Sequence, residues 1–192
     1  MLIEVSKEDY KMYFPTDNNP FTSEEFIALV ENKTEKVIRL IKEDDTSIGL
    51  ILGLKDGVLT SPFSAPFGGF HYSHEYMNYS VLYAFLAELK DYVRVNNLKQ
   101  VSVTLPPDMY QKNINAKLIN AFIRLGYKMD VPDLTNWIDL KEFDGTWVKS
   151  VVAQNCRKAI KHGLSWLVTT DKKEMEECYD VIFRNREDQN GC

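Results

Sequence analysis

Three sets of side chains in this 192-residue sequence could take part in chemistry: a close pair of histidines considered with three late cysteines, an aromatic segment rich in glycine and proline, and a cationic stretch free of acids. His71 and His74 are followed directly by Glu75. Side chains three apart on a helix converge, and imidazole with carboxylate suits zinc. The order His-x-x-His-Glu nevertheless matches neither helical metalloprotease pattern, and the third histidine, His162, is remote in sequence. No metal site is expected, a single histidine as general base is left open, and no catalytic residue is assigned. Cys156, Cys178 and Cys192 are odd in number and lack Cys-x-x-Cys spacing, so they read as free thiols. No Ser-His-Asp or Cys-His set can be assembled, and covalent catalysis is not expected.

The second candidate is aromatic. Between Pro62 and Phe70 the chain packs two prolines, two glycines and three phenylalanines into nine residues. A rigid aromatic loop of this kind can line a groove for a substrate chain, which makes Pro66, Phe67, Gly68, Gly69, Phe70, His71, Tyr72 and His74 groove candidates. The competing reading is a bulged strand end whose rings cover the core while the glycines supply unusual backbone angles.

The third is electrostatic. Residues 145–170 hold four basic side chains and no acidic one, against 15 basic and 21 acidic in residues 1–144 and four basic and seven acidic in residues 171–192. Arg157 with Lys161, and Lys158 with His162, are one helical turn apart, so a single helix presents two adjacent cationic stripes. Arg157, Lys158 and Lys161 are therefore candidates for holding a phosphate-rich donor, and an ordinary solvated face is the alternative. The net charge of -5 argues against DNA binding.

Elements must carry these groups. Leu2–Val5 reads as a strand, and Thr22 or Ser23 can cap a helix on which Phe26, Leu29 and Val30 share a face. Lys36–Lys42, Ser47–Leu54 and Val58–Phe63 read as three antiparallel strands, the last two joined by Asp56-Gly57, a strong hairpin signal. Leu82, Phe85, Leu86, Leu89 and Val93 repeat at helical spacing within 78–96. Leu98–Leu105 alternates as a strand, Gln111–Leu125 is a second core-facing helix, and Gly126 stands where a left-handed cap is wanted. Tyr127–Val131 and Leu134–Leu140 are further strand candidates, the latter carrying Trp137 as a core residue. Beyond them come a helix near Asn155–His162, a strand Leu164–Thr169 and a helix from Asp171 to about Arg186. The expected fold is α+β, a mixed, largely antiparallel sheet flanked by helices. The expected domains are 1–144, a linker 145–163, and 164–192 as the first βα unit of an incomplete second domain. A composition with 44% hydrophobic residues can build a core, no run reaches the ~18 apolar residues of a membrane span, and the N-terminus lacks a signal pattern, so a cytoplasmic protein is expected.

This element order resembles the GNAT (Gcn5-related N-acetyltransferase) fold, with Ala121-Phe122-Ile123-Arg124-Leu125-Gly126-Tyr127 similar to its helix-to-strand junction. Asn155-Cys156-Arg157-Lys158-Ala159-Ile160-Lys161-His162-Gly163 resembles the basic linker of the Fem-type branch, in which two GNAT-like domains stand in tandem. The resemblance implies an N-acyltransferase moving an acyl group from acetyl-CoA, another acyl-CoA or an aminoacyl-tRNA to a small-molecule or peptide amine. The acidic remainder of the chain disfavours tRNA without excluding it, and a homo-oligomer is left open. The family's cofactor loop, [QR]-x-x-G-x-[GA], is missing from the equivalent stretch His71–Asn78, and Gly68-Gly69 stands too early to form it. The resemblance therefore implies that this chain is the substrate-side half, weak or inactive alone, with the donor held mainly by a second domain. The rival expectation is a non-enzymatic binding module using the aromatic loop 61–70.

Overall fold

The computed structural model describes residues 1–15, 19–74, 76–111, 113–147 and 149–190. They fall into two compact units, Met1–Thr135 and Asn136–Cys192.

The first unit is built on a mixed sheet. Its elements in chain order are β1 (Leu2–Glu4), α1 (Lys7–Tyr13), α2 (Glu24–Val30), β2 (Lys36–Lys42), β3 (Asp45–Lys55), β4 (Val58–Ser61), β5 (Phe70–Tyr72), α3 (Tyr79–Val95), β6 (Gln100–Val103) and α4 (Asn115–Arg124). The sheet order is β1-β2-β3-β4-β6, with β5 beside the earlier half of β3. All pairs are antiparallel except β4 with β6, which α3 connects as a crossover. The fold is thus α+β, a mixed and mostly antiparallel open sheet flanked by helices.

Local chemistry explains most of the elements. Asp56 and Gly57 both adopt positive φ, 52° and 78°, as a two-residue hairpin turn between right-twisted strands requires. Ser6 accepts a hydrogen bond from the Asp9 N–H at 3.0 Å and caps α1, and Ser23 does the same for Phe26 at 3.1 Å in α2. After α4, Gly126 at φ 75° lets the Tyr127 N–H reach back to the Phe122 carbonyl at 3.0 Å, closing the helix as expected.

Side-chain alternation along β2 and β3 feeds two cores. Ile38, Leu40, Ile48, Leu50 and Leu52 join Leu82, Phe85, Leu86 and Leu89 of α3 and Leu118 and Ala121 of α4. Ile41 and Ile51 face the other way, onto Tyr10, Phe14 and Ile27 of the α1 and α2 segments. Ile48–Gly53 is therefore buried on both faces, and β3 is the spine of the unit.

Three local expectations are corrected and one strand is added. In α2 the buried positions are Glu24, Ile27 and Val30, while Leu29 is 78% exposed, because the helix turns a carboxylate inward toward Arg39. The sequence pattern assigned no element to His71 and Tyr72, which with Phe70 form β5. Tyr127–Val131 and Leu134–Leu140 form no strand, and Trp137 is exposed rather than in a core. Leu164–Thr169 likewise forms none; an apolar run becomes a strand only where a sheet edge supplies its hydrogen bonds.

The second unit contains α5 (Ser150–Lys161) and α6 (Lys172–Asn190). No residue of α5 is buried. Along α6, Met175, Tyr179, Ile182 and Phe183 recur at helical spacing and are all exposed.

Candidate functional site

Segment 61–72 is where the sequence concentrated its candidates, and the structure distributes them over three environments. After β4 the chain leaves the sheet through a cis Ser61–Pro62 bond and returns to it as β5. Gly68 and Gly69 hold that return in place. The Gly68 N–H donates to the Thr104 carbonyl at 2.9 Å, and its carbonyl accepts from the Asn19 amide at 2.9 Å. A Cβ on Gly68 would lie 2.7 Å from the Pro62 nitrogen and the Ser61 hydroxyl, and Gly69 sits at φ 113°. Gly68 is required by the close approach of the Ser61–Pro62 main chain, and Gly69 by its positive φ.

Phe70 and Tyr72 face the main core, where Phe70 meets Phe85 edge-on with centroids 5.8 Å apart. Burial pushes the Tyr72 phenol up from its ordinary value, so it stays neutral. His71, between them, points to the opposite face. Its Nδ1 shares a 2.8 Å hydrogen bond with the Tyr10 hydroxyl, and Phe14 packs against it at 5.6 Å. Gly49, the cross-strand partner of His71, makes the room: a Cβ there would stand 2.7 Å from the Tyr10 oxygen and 2.4 Å from the Phe14 ring. Beside this pair is a recess of about 10 Å³ bordered by Thr22, Glu24 and Ile51, the volume of a single water. Glu24 closes its far side and is held by a bidentate pair with Arg39, at 2.6 and 2.7 Å. His71 is 2% exposed, so it meets no substrate in this arrangement, whereas His74 is exposed; the two do not share one face. Glu75 lies outside the described residues. Among the described residues no group of three or more His, Cys, Asp or Glu is placed to hold a metal.

The third environment is the rim. Phe67 is half-buried and central to a row of rings, Phe26 to Phe21 at 5.4 Å, Phe21 to Phe67 at 5.1 Å, and Phe67 to Tyr110 at 5.5 Å. Pro66 is exposed next to it. Behind Tyr110, buried Asn115 donates its amide N–H groups to the Pro106 carbonyl at 2.7 Å and to Asp108 at 2.9 Å. The groove candidates thus separate into core (Phe70, Tyr72), a buried hydrogen-bonded pair (His71), backbone spacers (Gly68, Gly69) and a solvent-facing aromatic row (Phe67 with Pro66 nearby).

In the second unit Arg157, Lys158 and Lys161 are exposed on α5. Lys158 and Lys161 lie in its last turn, where they complement the negative helix end. Cys156 and Cys178 are free and exposed, and Cys192 is outside the described residues.

Sequence reasoning did not single out Tyr10, Glu24, Arg39, Tyr110 or Asn115. The Ser6-x-x-Asp9 cap was a usable signal for α1 and hence for Tyr10. The others depend on long-range contacts that leave no periodic trace. Comparison with protein-family models, curated proteins and solved structures finds no match to this chain.

Proposed function

We propose that the protein is an N-acyltransferase of the tandem GNAT-like, Fem-type kind, and that this chain contributes the side on which the amine acceptor is held. The observation that carries the proposal is the parallel strand pair in the sheet. β4 and β6 run parallel over Val58–Ser61 and Gln100–Val103 with α3 as crossover, and just past them Thr104 still bonds the main chains of Ser61 and Gly68. The chain leaving β4 is the aromatic loop, and the chain leaving β6 leads to Tyr110 and Asn115. The loops at the end of a parallel strand pair are where α/β-type sheets commonly accept ligands.

Acyl transfer then requires an amine delivered to a thioester or ester carbonyl, loss of its proton, and N–H groups to stabilise the oxyanion. The donor, an acyl-CoA or an aminoacyl-tRNA, is assigned to a second GNAT-like domain and to the cationic face of Arg157, Lys158 and Lys161. The lack of a glycine-rich turn before α3 supports that division, since the α3 N-terminus is preceded by Tyr76-Met77-Asn78 rather than by a phosphate-cradling loop.

The test uses the natural gene product that contains these residues. With acetyl-CoA or an aminoacyl-tRNA and a panel of primary amines, release of free thiol or uncharged tRNA should depend on the amine. No amine-dependent release with either donor refutes the proposal. A second reading, a non-enzymatic docking module, is favoured by the solvent-facing row Phe26, Phe21, Phe67 and Tyr110; it is preferred if peptide binding is lost on Phe67→Ala while no acyl transfer is found.

A further inference from the structure

Three buried side-chain oxygens without a hydrogen-bond partner among the described residues belong to the segments at the end of this strand pair: Ser61 Oγ, Gln111 Oε1 and Asn115 Oδ1. Short contacts link these segments. Thr104 N–H donates to the Ser61 carbonyl at 2.8 Å, Gly68 N–H donates to the Thr104 carbonyl at 2.9 Å, and the Pro106 carbonyl accepts from Asn115 at 2.7 Å.

Asn115 is the informative member. It is 2% exposed, and its two N–H groups are committed to the Pro106 carbonyl and Asp108, which fixes the amide orientation. Oδ1 is therefore a buried acceptor with a set direction, and buried acceptors call for donors. Gln111 stands one turn earlier on the same side, since the Asn115 N–H reaches its carbonyl at 3.3 Å. Asp108 adds a negative charge, and Tyr110 stacks obliquely on Phe67. Two carbonyl oxygens, a carboxylate and aromatic faces are complementary to an ammonium ion.

We propose that Asn115, Gln111, Asp108, Tyr110 and Phe67 form a binding subsite for a primary alkylammonium group. Asn115 Oδ1 and Gln111 Oε1 accept its N–H bonds, and the ring pair covers its carbon stem. This rests on the acyltransferase proposal and names the form in which the acceptor is recognised. Because the oxygens are closed to bulk solvent, entry requires the exposed Tyr110 ring and the Gln111 side chain to move aside while Asp108 stays bonded to Asn115. The Pro107–Gln111 turn is held by Tyr110 N–H to the Pro107 carbonyl at 3.0 Å, by Gln111 N–H to the Asp108 carbonyl at 3.1 Å and by the Asn115 amide on Asp108, and Tyr110 is exposed at its edge.

The experiment is an NMR titration of the full 192-residue chain with n-butylammonium chloride, following the Asn115 and Gln111 side-chain amides and the Tyr110 ring. Saturable shifts in those resonances are expected, with 1-butanol producing weaker, unsaturated ones. Gln111→Met should weaken ammonium binding by about tenfold, the loss of one hydrogen bond to a charged group. Tyr110→Ala, at an exposed position, should weaken it severalfold while leaving the spectrum of the core unchanged. Absence of saturation, equal response to the alcohol, or unaltered affinity in Gln111→Met overturns the proposal and leaves those oxygens to water alone. Ammonium binding without any acyl transfer by the gene product would instead remove the acyltransferase reading and keep the subsite.

Discussion

Helices α4 and α5 have similar sequence character, ten and twelve residues with apolar positions gathered on one side, and opposite fates. α4 buries Leu118 and Ala121 against α3 and the sheet. α5 buries nothing, and neighbouring Trp166 and Val168 are 87% and 86% exposed. What separates the two units is the spine β3, buried on both faces, against which the first unit's helices pack. An amphipathic pattern specifies a face to be covered, and only a partner surface turns it into stability.

That contrast can be broken by mutation, beginning with the largest effect. Phe85→Ala empties the centre of the first core and should cost about 3–5 kcal/mol in urea unfolding. Ile160→Ala on α5 should stay within about 0.5 kcal/mol. A comparable loss at Ile160 would mean that the second unit shares a core after all.

The ion pairs repeat the comparison more finely. Glu24→Gln leaves the nearly buried Arg39 without its carboxylate and should destabilise by about 3 kcal/mol. Asp180→Asn removes the exposed partner of Arg184 on α6 and should change stability by less than about 0.5 kcal/mol. Gly49→Ala comes next, at about 1–3 kcal/mol, because the added methyl must displace Tyr10 and Phe14. The Tyr10–His71 hydrogen bond should then disappear from the imidazole NMR signals.

The last effect is a pH dependence. Burial pushes the Glu4 carboxyl up, but hydrogen bonds from Lys36 and Tyr92 and the Lys36 charge outweigh it and hold the group below the usual carboxylate range. A lowered folded pKa contributes stability above the unfolded value that is lost as pH falls through the folded one. Glu4 is half exposed, so the contribution should be under about 1 kcal/mol. Glu4→Gln should flatten that part of the acid limb of the stability profile, and an unchanged limb would show the pairs with Lys36 and Tyr92 to be energetically silent.

Much of the scaffold was legible because its signals act over a few residues. The Asp56-Gly57 turn, the Ser23 cap, the Gly126 cap and the periodicity of α3 each depend on neighbours within about one turn. The candidate site was legible only as a segment. Residues 61–72 stood out by composition, yet composition could not say that Phe70 would enter the core, His71 the opposite face, and Phe67 the rim.

By itself, then, the sequence determined the fold class, the hairpin, the buried face of α3 and the unusual loop between β4 and β5. Tertiary structure decided the rest. Tyr10 meets His71 across 61 residues of chain, Arg39 draws Glu24 inward, and Gln111 and Asn115 come to the end of the strand pair only because β6 pairs parallel with β4. It also decided that residues 127–140 and 164–169, strand-like in pattern, form no strand. The physical reason is common to all of these. Local signals are satisfied by covalent neighbours, whereas strands, buried charges and converging polar groups acquire their meaning from a surface that only the folded chain supplies.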